Sequence, residues 1–233
     1  MNRPYIICHM LTSIDGKVTG DFLSKEASQK GCEIYYEKNR KYDADCFICG
    51  RVTMQESFTG SYYPDLSGFS NSKIELVDFI NKSNINKYAV SFDRFGRVGW
   101  VSSKIVDEDP GYNNRNIIEV VTQKAPSNYL RYLQSIGVSY IFAGEDDIDI
   151  KKALHKLYEL FNIKFALLEG GSIINGAFFK EDVVDEISLV VVPVIAEACD
   201  KPLFMNSTNQ SYELKECTQI DNNIYLNYIK LEK

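Results

Sequence analysis

The segment Leu167-Leu168-Glu169-Gly170-Gly171-Ser172 brings together an apolar run, a carboxylate, two glycines and a hydroxyl. A buried strand over 165–168 that ends on paired glycines lets a ligand approach the backbone, because glycine has no Cβ and adopts positive φ. Ser172 then stands where it can cap a helix whose apolar positions are Ile173, Ile174, Ala177 and Phe178. The free N–H groups in the first turn of such a helix attract an anion. The segment predicts a phosphate-binding turn for a nucleotide, with a purely steric glycine turn as the plain alternative.

Three further strand ends have the same style. In Thr12-Ser13-Ile14-Asp15-Gly16-Lys17, Ser13 and Asp15 can hydrogen-bond a ligand or relay a proton, or they form a capped turn with Gly16 at the special φ. In Gly50-Arg51-Val52-Thr53, Arg51 suits phosphate oxygens and Thr53 can cap a helix or donate to the same group. The fourth is Phe142-Ala143-Gly144-Glu145. Asp15 is the leading candidate for a polar catalytic residue. Glu169 can fix a ribose, orient an amide or hold a loop, and would need a raised pKa to act as a general acid. His9 either donates a proton to a pocket or sits hydrogen-bonded beside the core.

These residues need a scaffold that brings strand ends to one side. Strand patterns fall at Tyr5 to Leu11, Cys46 to Cys49, Tyr88 to Phe92, Ile117 to Thr122, Tyr140 to Ala143, Phe165 to Leu168 and Ile187 to Ile195. Helical patterns fall between them: Gln29 to Tyr42, Pro126 to Ile136 closed by Gly137, and the stripe Leu154, Leu157, Tyr158, Phe161 ended by Asn162. Alternating strands and helices predict an α/β fold with a mixed, mostly parallel sheet flanked by helices. The runs Tyr212 to Thr218 and Ile224 to Leu231, joined by Asp221-Asn222-Asn223, predict a C-terminal antiparallel hairpin. With no repeat and no Pro/Gly/Ser-rich linker, 1–233 is expected to be a single domain. Thr59 to Ser72 is either a surface loop or a flap over a pocket, and its aromatics Tyr62, Tyr63 and Phe69 either stack on a flat ligand or bury the loop.

Composition narrows the function classes. The 233 residues carry a net charge of −6 and are 45% hydrophobic, which fits a globular protein and opposes phosphate neutralisation on nucleic acid. No apolar run reaches the roughly 18 residues of a membrane span, so a cytoplasmic location without membrane association is expected. The six cysteines lie mostly in apolar segments and are expected to be reduced. Cys46 and Cys49 have the spacing of a redox or zinc pair, yet on a strand residues three apart point to opposite faces. With two histidines in the chain, neither a histidine-rich metal site nor a serine-histidine triad is expected.

The ordered set Thr12 to Lys17, Asp43-Ala44 with Gly50 to Thr53, Leu168 to Ser172 with Asn175-Gly176-Ala177, and Val184-Asp185-Glu186-Ile187 resembles the reductase domain of the bifunctional riboflavin-biosynthesis deaminase-reductase, from about Arg3 to Ile195. The resemblance implies a dihydrofolate-reductase-like fold, NADPH as cofactor, a small-molecule substrate and a homodimer. It places Gly170, Gly171, Ser172, Gly50 and Thr53 at the cofactor phosphates; Arg51, Ala143 and Gly144, from the strand-end pattern, are further cofactor-binding candidates. Ser13, Asp15 and Gly16 fall near the nicotinamide and substrate, with His9 where the family usually has lysine. Lys124, which follows the strand ending at Thr122, either meets an adenosine 2′-phosphate or is an exposed turn lysine without such a role. The implied reaction transfers hydride to the anomeric carbon of a ribosylamino-pyrimidine phosphate, as in 5-amino-6-(5-phosphoribosylamino)uracil reductase.

The chain departs from that pattern in two ways. No zinc-ligating deaminase segment stands before the first strand, so a stand-alone reductase is expected. The family's Asp-Asp-Pro and Leu-Thr-Val-Arg segment is replaced by Met54 to Pro64, which removes an arginine partner for a substrate phosphate. A reductase of another small heterocycle and a non-catalytic nucleotide-binding module are the alternatives.

Overall fold

The computed structural model describes residues 2–81 and 86–231, which divide into two compact units. The first comprises residues up to 4 and 45–166; the second comprises 5–44 and 167 onward. The division falls inside one strand, β6 (Phe165–Leu168).

In the first unit, β2 (Cys46–Gly50), β3 (Tyr88–Phe92), β4 (Asn116–Val121) and β5 (Ser139–Phe142) pair in that order, all parallel. Their central residues, among them Phe47, Ile48, Val90, Ile118 and Ile141, are fully buried, so these strands read as continuous apolar runs. The crossovers are α2 (Arg51–Phe58), α3 (Ser127–Ser135) and α4 (Ile150–Phe161). On α4 the side chains of Ile150, Ala153, Leu154, Leu157 and Phe161 are buried, and Asp149 caps the start by accepting from the Lys152 N–H at 2.9 Å. Tyr158 lies half-exposed beside that stripe, with the Lys164 ammonium 3.1 Å from its ring centroid. Asn162 ends α4 in the left-handed conformation at φ 55.

In the second unit, β1 (Tyr5–Thr12) pairs parallel with β7 (Glu186–Val191). The hairpin of β8 (Tyr212–Ile220) and β9 (Asn223–Lys230) adds antiparallel to β7 through β9. The helices are α1 (Glu26–Tyr42) and α5 (Ser172–Lys180). α1 starts three residues before the expected Gln29. β7 stops at Val191, short of the expected Ile195, because Pro193 has no N–H to continue the ladder. Leu11, Phe22, Ile34, Val190, Val192 and Tyr225 form a core cluster of this unit. β8 is largely solvent-exposed along its length.

Candidate functional site

The second unit carries the Gly-Gly turn. Glu169 follows β6, buried, and its Oε1 accepts from the Asn39 Nδ2 of α1 at 2.5 Å. The bond ties the turn after β6 to α1. Gly170 has φ 93, the peptide to Gly171 is cis, and a Cβ at Gly170 would come 3.1 Å from the Met10 methyl. Gly171 is the N-cap of α5 and its carbonyl accepts from the Asn175 N–H at 3.0 Å.

Ser172 therefore does not cap the helix: it is the first helical residue, one position too late for its hydroxyl to reach the N–H groups of the first turn. Its Oγ is buried and has no hydrogen-bond partner among the described residues. The first turn of α5 contains no acidic side chain. An orphaned hydroxyl beside free helix N–H groups, with no competing carboxylate in the turn, is a donor set that fits a phosphate.

The turn after β1 belongs to the same unit. Ser13 Oγ donates to Asp15 Oδ1 at 2.7 Å and accepts from the Lys17 N–H at 2.9 Å, while the Ala196 N–H donates to Asp15 Oδ1 at 3.0 Å. Gly16 holds φ 76 at the bend. The hydrogen bond from the Ala196 N–H, then that from Ser13, lowers the Asp15 pKa. Exposed and held as an anion, Asp15 accepts hydrogen bonds and does not donate a proton near neutral pH.

His9 is fully buried under α1. Its Nε2 lies 3.0 Å from the Tyr35 carbonyl oxygen and its Nδ1 2.9 Å from Ser188 Oγ, and its ring stacks on Tyr35 at 4.3 Å. A carbonyl only accepts, so Nε2 carries the proton and Nδ1 accepts from the serine. Burial pushes the imidazole pKa down to about 4. Both ring nitrogens are thus committed inside the protein, which is the hydrogen-bonded alternative and not that of a pocket donor.

The first unit holds the other candidates. Gly50 is the N-cap of α2, Arg51 its first residue, and no side chain, Thr53 included, caps the helix. Thr53 sits in the third helical position, inside the turn it was expected to start. Its hydroxyl and the Arg51 guanidinium make no hydrogen bond among the described residues, and the first turn of α2 has no acid. Ala143 follows β5 with its carbonyl accepting from the Asp149 N–H at 2.9 Å. Gly144, at φ 117, passes so close to the Asp147 carbonyl that a Cβ would lie 1.9 Å from it. Lys124 is exposed and pairs with Asp146 at 2.8 Å, so a phosphate at Lys124 competes with that carboxylate.

Two buried acids of this unit escaped the sequence reading. Asp93 follows β3 and its Oδ2 accepts from the N–H groups of Arg97 and Val98, closing the turn. Glu119, in the middle of β4, accepts from the indole N–H of Trp100. Burial, then the charge of Asp93, raises the Glu119 pKa well above its ordinary value. The signal was a single glutamate inside Ile117-Ile118-Glu119-Val120-Val121. The six cysteines form no disulfide among the described residues, Cys46 and Cys49 lie buried on β2, and no metal-binding cluster occurs among the described residues.

Residues 101–226, more than half of the chain, match the RibD C-terminal domain. The chain belongs to the RibD C-terminal domain family. It is a riboflavin-biosynthesis reductase, an oxidoreductase, with the dihydrofolate-reductase-like mixed α/β fold. It is 28% identical over 198 residues to a 2,5-diamino-6-ribosylamino-4(3H)-pyrimidinone 5′-phosphate reductase of Aquifex aeolicus, covering 84% of this chain and 79% of the relative. A relative of the same name from Archaeoglobus fulgidus is 22% identical over 219 residues, 92% of this chain and 90% of that one.

Among solved structures, a pyrimidine reductase-like protein from Corynebacterium diphtheriae superposes with TM-score 0.69 at 19% identity, covering 99% of this chain and 93% of that one. RibD of Acinetobacter baumannii gives TM-score 0.67 at 18% identity; this RibD-family chain is covered to 99% and spans 59% of the length of that protein. The riboflavin biosynthesis reductase of Saccharomyces cerevisiae gives TM-score 0.62 at 16% identity, covering 98% of this chain and 90% of that one.

Proposed function

We propose that the chain is an NADPH-dependent reductase of a ribosylamino-pyrimidine 5′-phosphate, with all 233 residues serving one reductase domain. The observation that carries the reading is the start of α5, where the buried, unpartnered Ser172 hydroxyl and the free N–H groups beside Gly170 and Gly171 form a donor set for a pyrophosphate. NADPH, when bound, supplies the hydride for the anomeric carbon of the opened imine, and the reduced nitrogen takes one proton. Gly170 supplies the positive φ that leads the backbone into α5, its Cβ side being taken by Met10. In the first unit, Arg51 and Thr53 beside Gly50 offer further phosphate donors, Ala143 and Gly144 offer backbone at a strand end, and Lys124 offers a cation for a 2′-phosphate.

The remaining roles follow from charge state. Asp15, anionic and steadied by Ser13 and Ala196, orients substrate hydroxyl or amino groups by accepting from them. Glu169 acts as a positioning residue through Asn39. Neither Asp15 nor His9 supplies the proton, which this reading assigns to solvent. Alignment of two bound molecules supplies roughly 7–11 kcal/mol of barrier lowering in favourable cases.

The compound in the names of both curated relatives, 2,5-diamino-6-ribosylamino-4(3H)-pyrimidinone 5′-phosphate, is the first substrate to test, followed by its deaminated counterpart. Following nucleotide oxidation with NADPH and NADH distinguishes the readings. Turnover with NADPH and either pyrimidine supports the proposal. Nucleotide binding without turnover of either shifts the assignment to another heterocycle or to a non-catalytic module, and absence of nucleotide binding removes the enzymatic reading. A homodimer and a cytoplasmic location belong to the same proposal. The open, exposed side of β8 supports the former, and among the described residues no helix is long and apolar enough to cross a membrane.

A further inference from the structure

A groove of about 260 Å³ opens in the second unit, lined by Lys38, Lys41 and Tyr42 of α1, Glu186 of β7, Lys215 and Glu216 of β8, and Tyr225 and Asn227 of β9. Its lining runs from Glu186, the first residue of β7, to Asn227 and Tyr225, which pair with Ser188 and Val190, whereas the Asp15 turn meets the segment beyond that strand's last residue, where the Ile14 N–H donates to the Val194 carbonyl. No residue that lines the groove belongs to the Gly170 or the Asp15 turn.

Its charges are unevenly matched. The Lys38 ammonium lies 3.4 Å from the Tyr225 ring centroid and 3.8 Å from Glu216. Lys41 and Lys215, both exposed, make no side-chain pairing among the described residues. The Glu186 carboxylate is already occupied by the Tyr5 hydroxyl at 3.0 Å and by the Asn227 Nδ2. That second bond fixes which way the Asn227 amide faces. Its Oδ1 is left buried, on a residue 4% exposed, with no partner among the described residues. A buried acceptor without a donor costs free energy unless something fills it.

We propose that this groove binds a small hydroxylated phosphate monoester of the sugar- or polyol-phosphate class. The phosphate meets the ammonium groups of Lys41 and Lys215, and a hydroxyl of the same molecule donates to Asn227 Oδ1. The volume falls just below the usual range of pockets for drug-sized ligands, so the occupant is small.

The test uses the full chain at low ionic strength, with backbone and side-chain amide NMR shifts followed during titration with glycerol 3-phosphate and, separately, with sulfate, an anion that lacks a hydroxyl. Saturable glycerol 3-phosphate shifts at Lys41, Lys215 and the Asn227 side-chain amide are expected. Affinity should fall at least tenfold in the surface double variant Lys41→Gln/Lys215→Gln. In Asn227→Leu, glycerol 3-phosphate should weaken severalfold while sulfate does not, with circular dichroism confirming the fold. Absence of saturable shifts, shifts confined to Gly170–Ser172, or equal affinity in the double variant would overturn the proposal. Should Asn227→Leu fail to fold, Lys41→Gln/Lys215→Gln alone decides.

Discussion

The Asn39 amide, near the end of α1, donates to the carboxylate of Glu169 that closes β6 just before the paired glycines, at 2.5 Å. Both residues are buried, so the bond ties a helix to the turn on which the nucleotide reading depends. Asn39→Leu removes one donor from Glu169 and should cost on the order of 1–3 kcal/mol. A lower urea midpoint with an unchanged slope is the expected readout, together with weaker NADPH binding. If stability falls while the nucleotide affinity stays at the wild-type value, Glu169 does not position the turn.

Ser172 separates a binding role from a structural one. Because its hydroxyl has no partner among the described residues, Ser172→Ala should leave the melting temperature unchanged or slightly higher. If the hydroxyl donates to a phosphate, the same change should remove about 1.5–3 kcal/mol of NADPH binding, roughly 10- to 100-fold in Kd. Gly170→Val tests the neighbouring backbone. Its φ of 93 disfavours a β-branched residue and the new side chain meets Met10, so loss of nucleotide binding with a lower melting temperature is expected. Nucleotide binding at wild-type affinity in both variants would place the phosphates elsewhere.

The strand ends were legible because glycine after an apolar run is a local signal: Gly144 and Gly170 follow β5 and β6 at positive φ, and by a separate signal the left-handed Asn162 ends α4 where its apolar stripe stops. Element limits slipped where a single residue decides them, as Pro193 does for β7. Ser172 was misplaced by one position because the N-cap depends on the backbone angles of Gly171, which composition does not encode. The partners of His9 were out of reach for a different reason: Tyr35 and Ser188 lie 26 and 179 residues away in sequence, and only the packing of α1 over β1 and β7 joins them. Glu119 was visible as an acid in an apolar strand, yet its indole partner comes from an irregular segment with no periodic pattern.

His9 should make stability depend on pH. Its pKa falls from an ordinary 6.5 to about 4 in the folded chain, so the unfolded chain binds the proton more readily. The contribution is fully present above about pH 6.5 and is lost as pH drops toward 4, with an upper magnitude on the order of 3 kcal/mol. Urea midpoints of wild type and His9→Gln across this window should diverge most at the high end, where the wild type keeps its advantage. A constant difference between the two proteins would show that His9 does not change protonation on unfolding. The pH profile of turnover should be the same in both, because His9 is no proton donor.

Glu119 works in the opposite direction, and Trp100, the one tryptophan of the chain, reports it. Burial and the nearby Asp93 raise the Glu119 pKa, so the folded state favours the protonated acid. The group is neutral in both states well below its unfolded pKa; as pH rises past that value the unfolded chain ionises first and stability is lost until the folded pKa is passed. Glu119→Gln keeps an oxygen for the Trp100 indole and removes the ionisation, so it should be more stable than wild type at pH 8, with the gain shrinking toward pH 4. Glu119→Leu leaves the indole N–H unpaired in the core and should cost about 1–3 kcal/mol at every pH. Trp100 emission should shift in Glu119→Leu and stay near wild type in Glu119→Gln. A glutamine variant less stable than wild type at pH 8 would mean that Glu119 is ionised in the folded protein and held by charge.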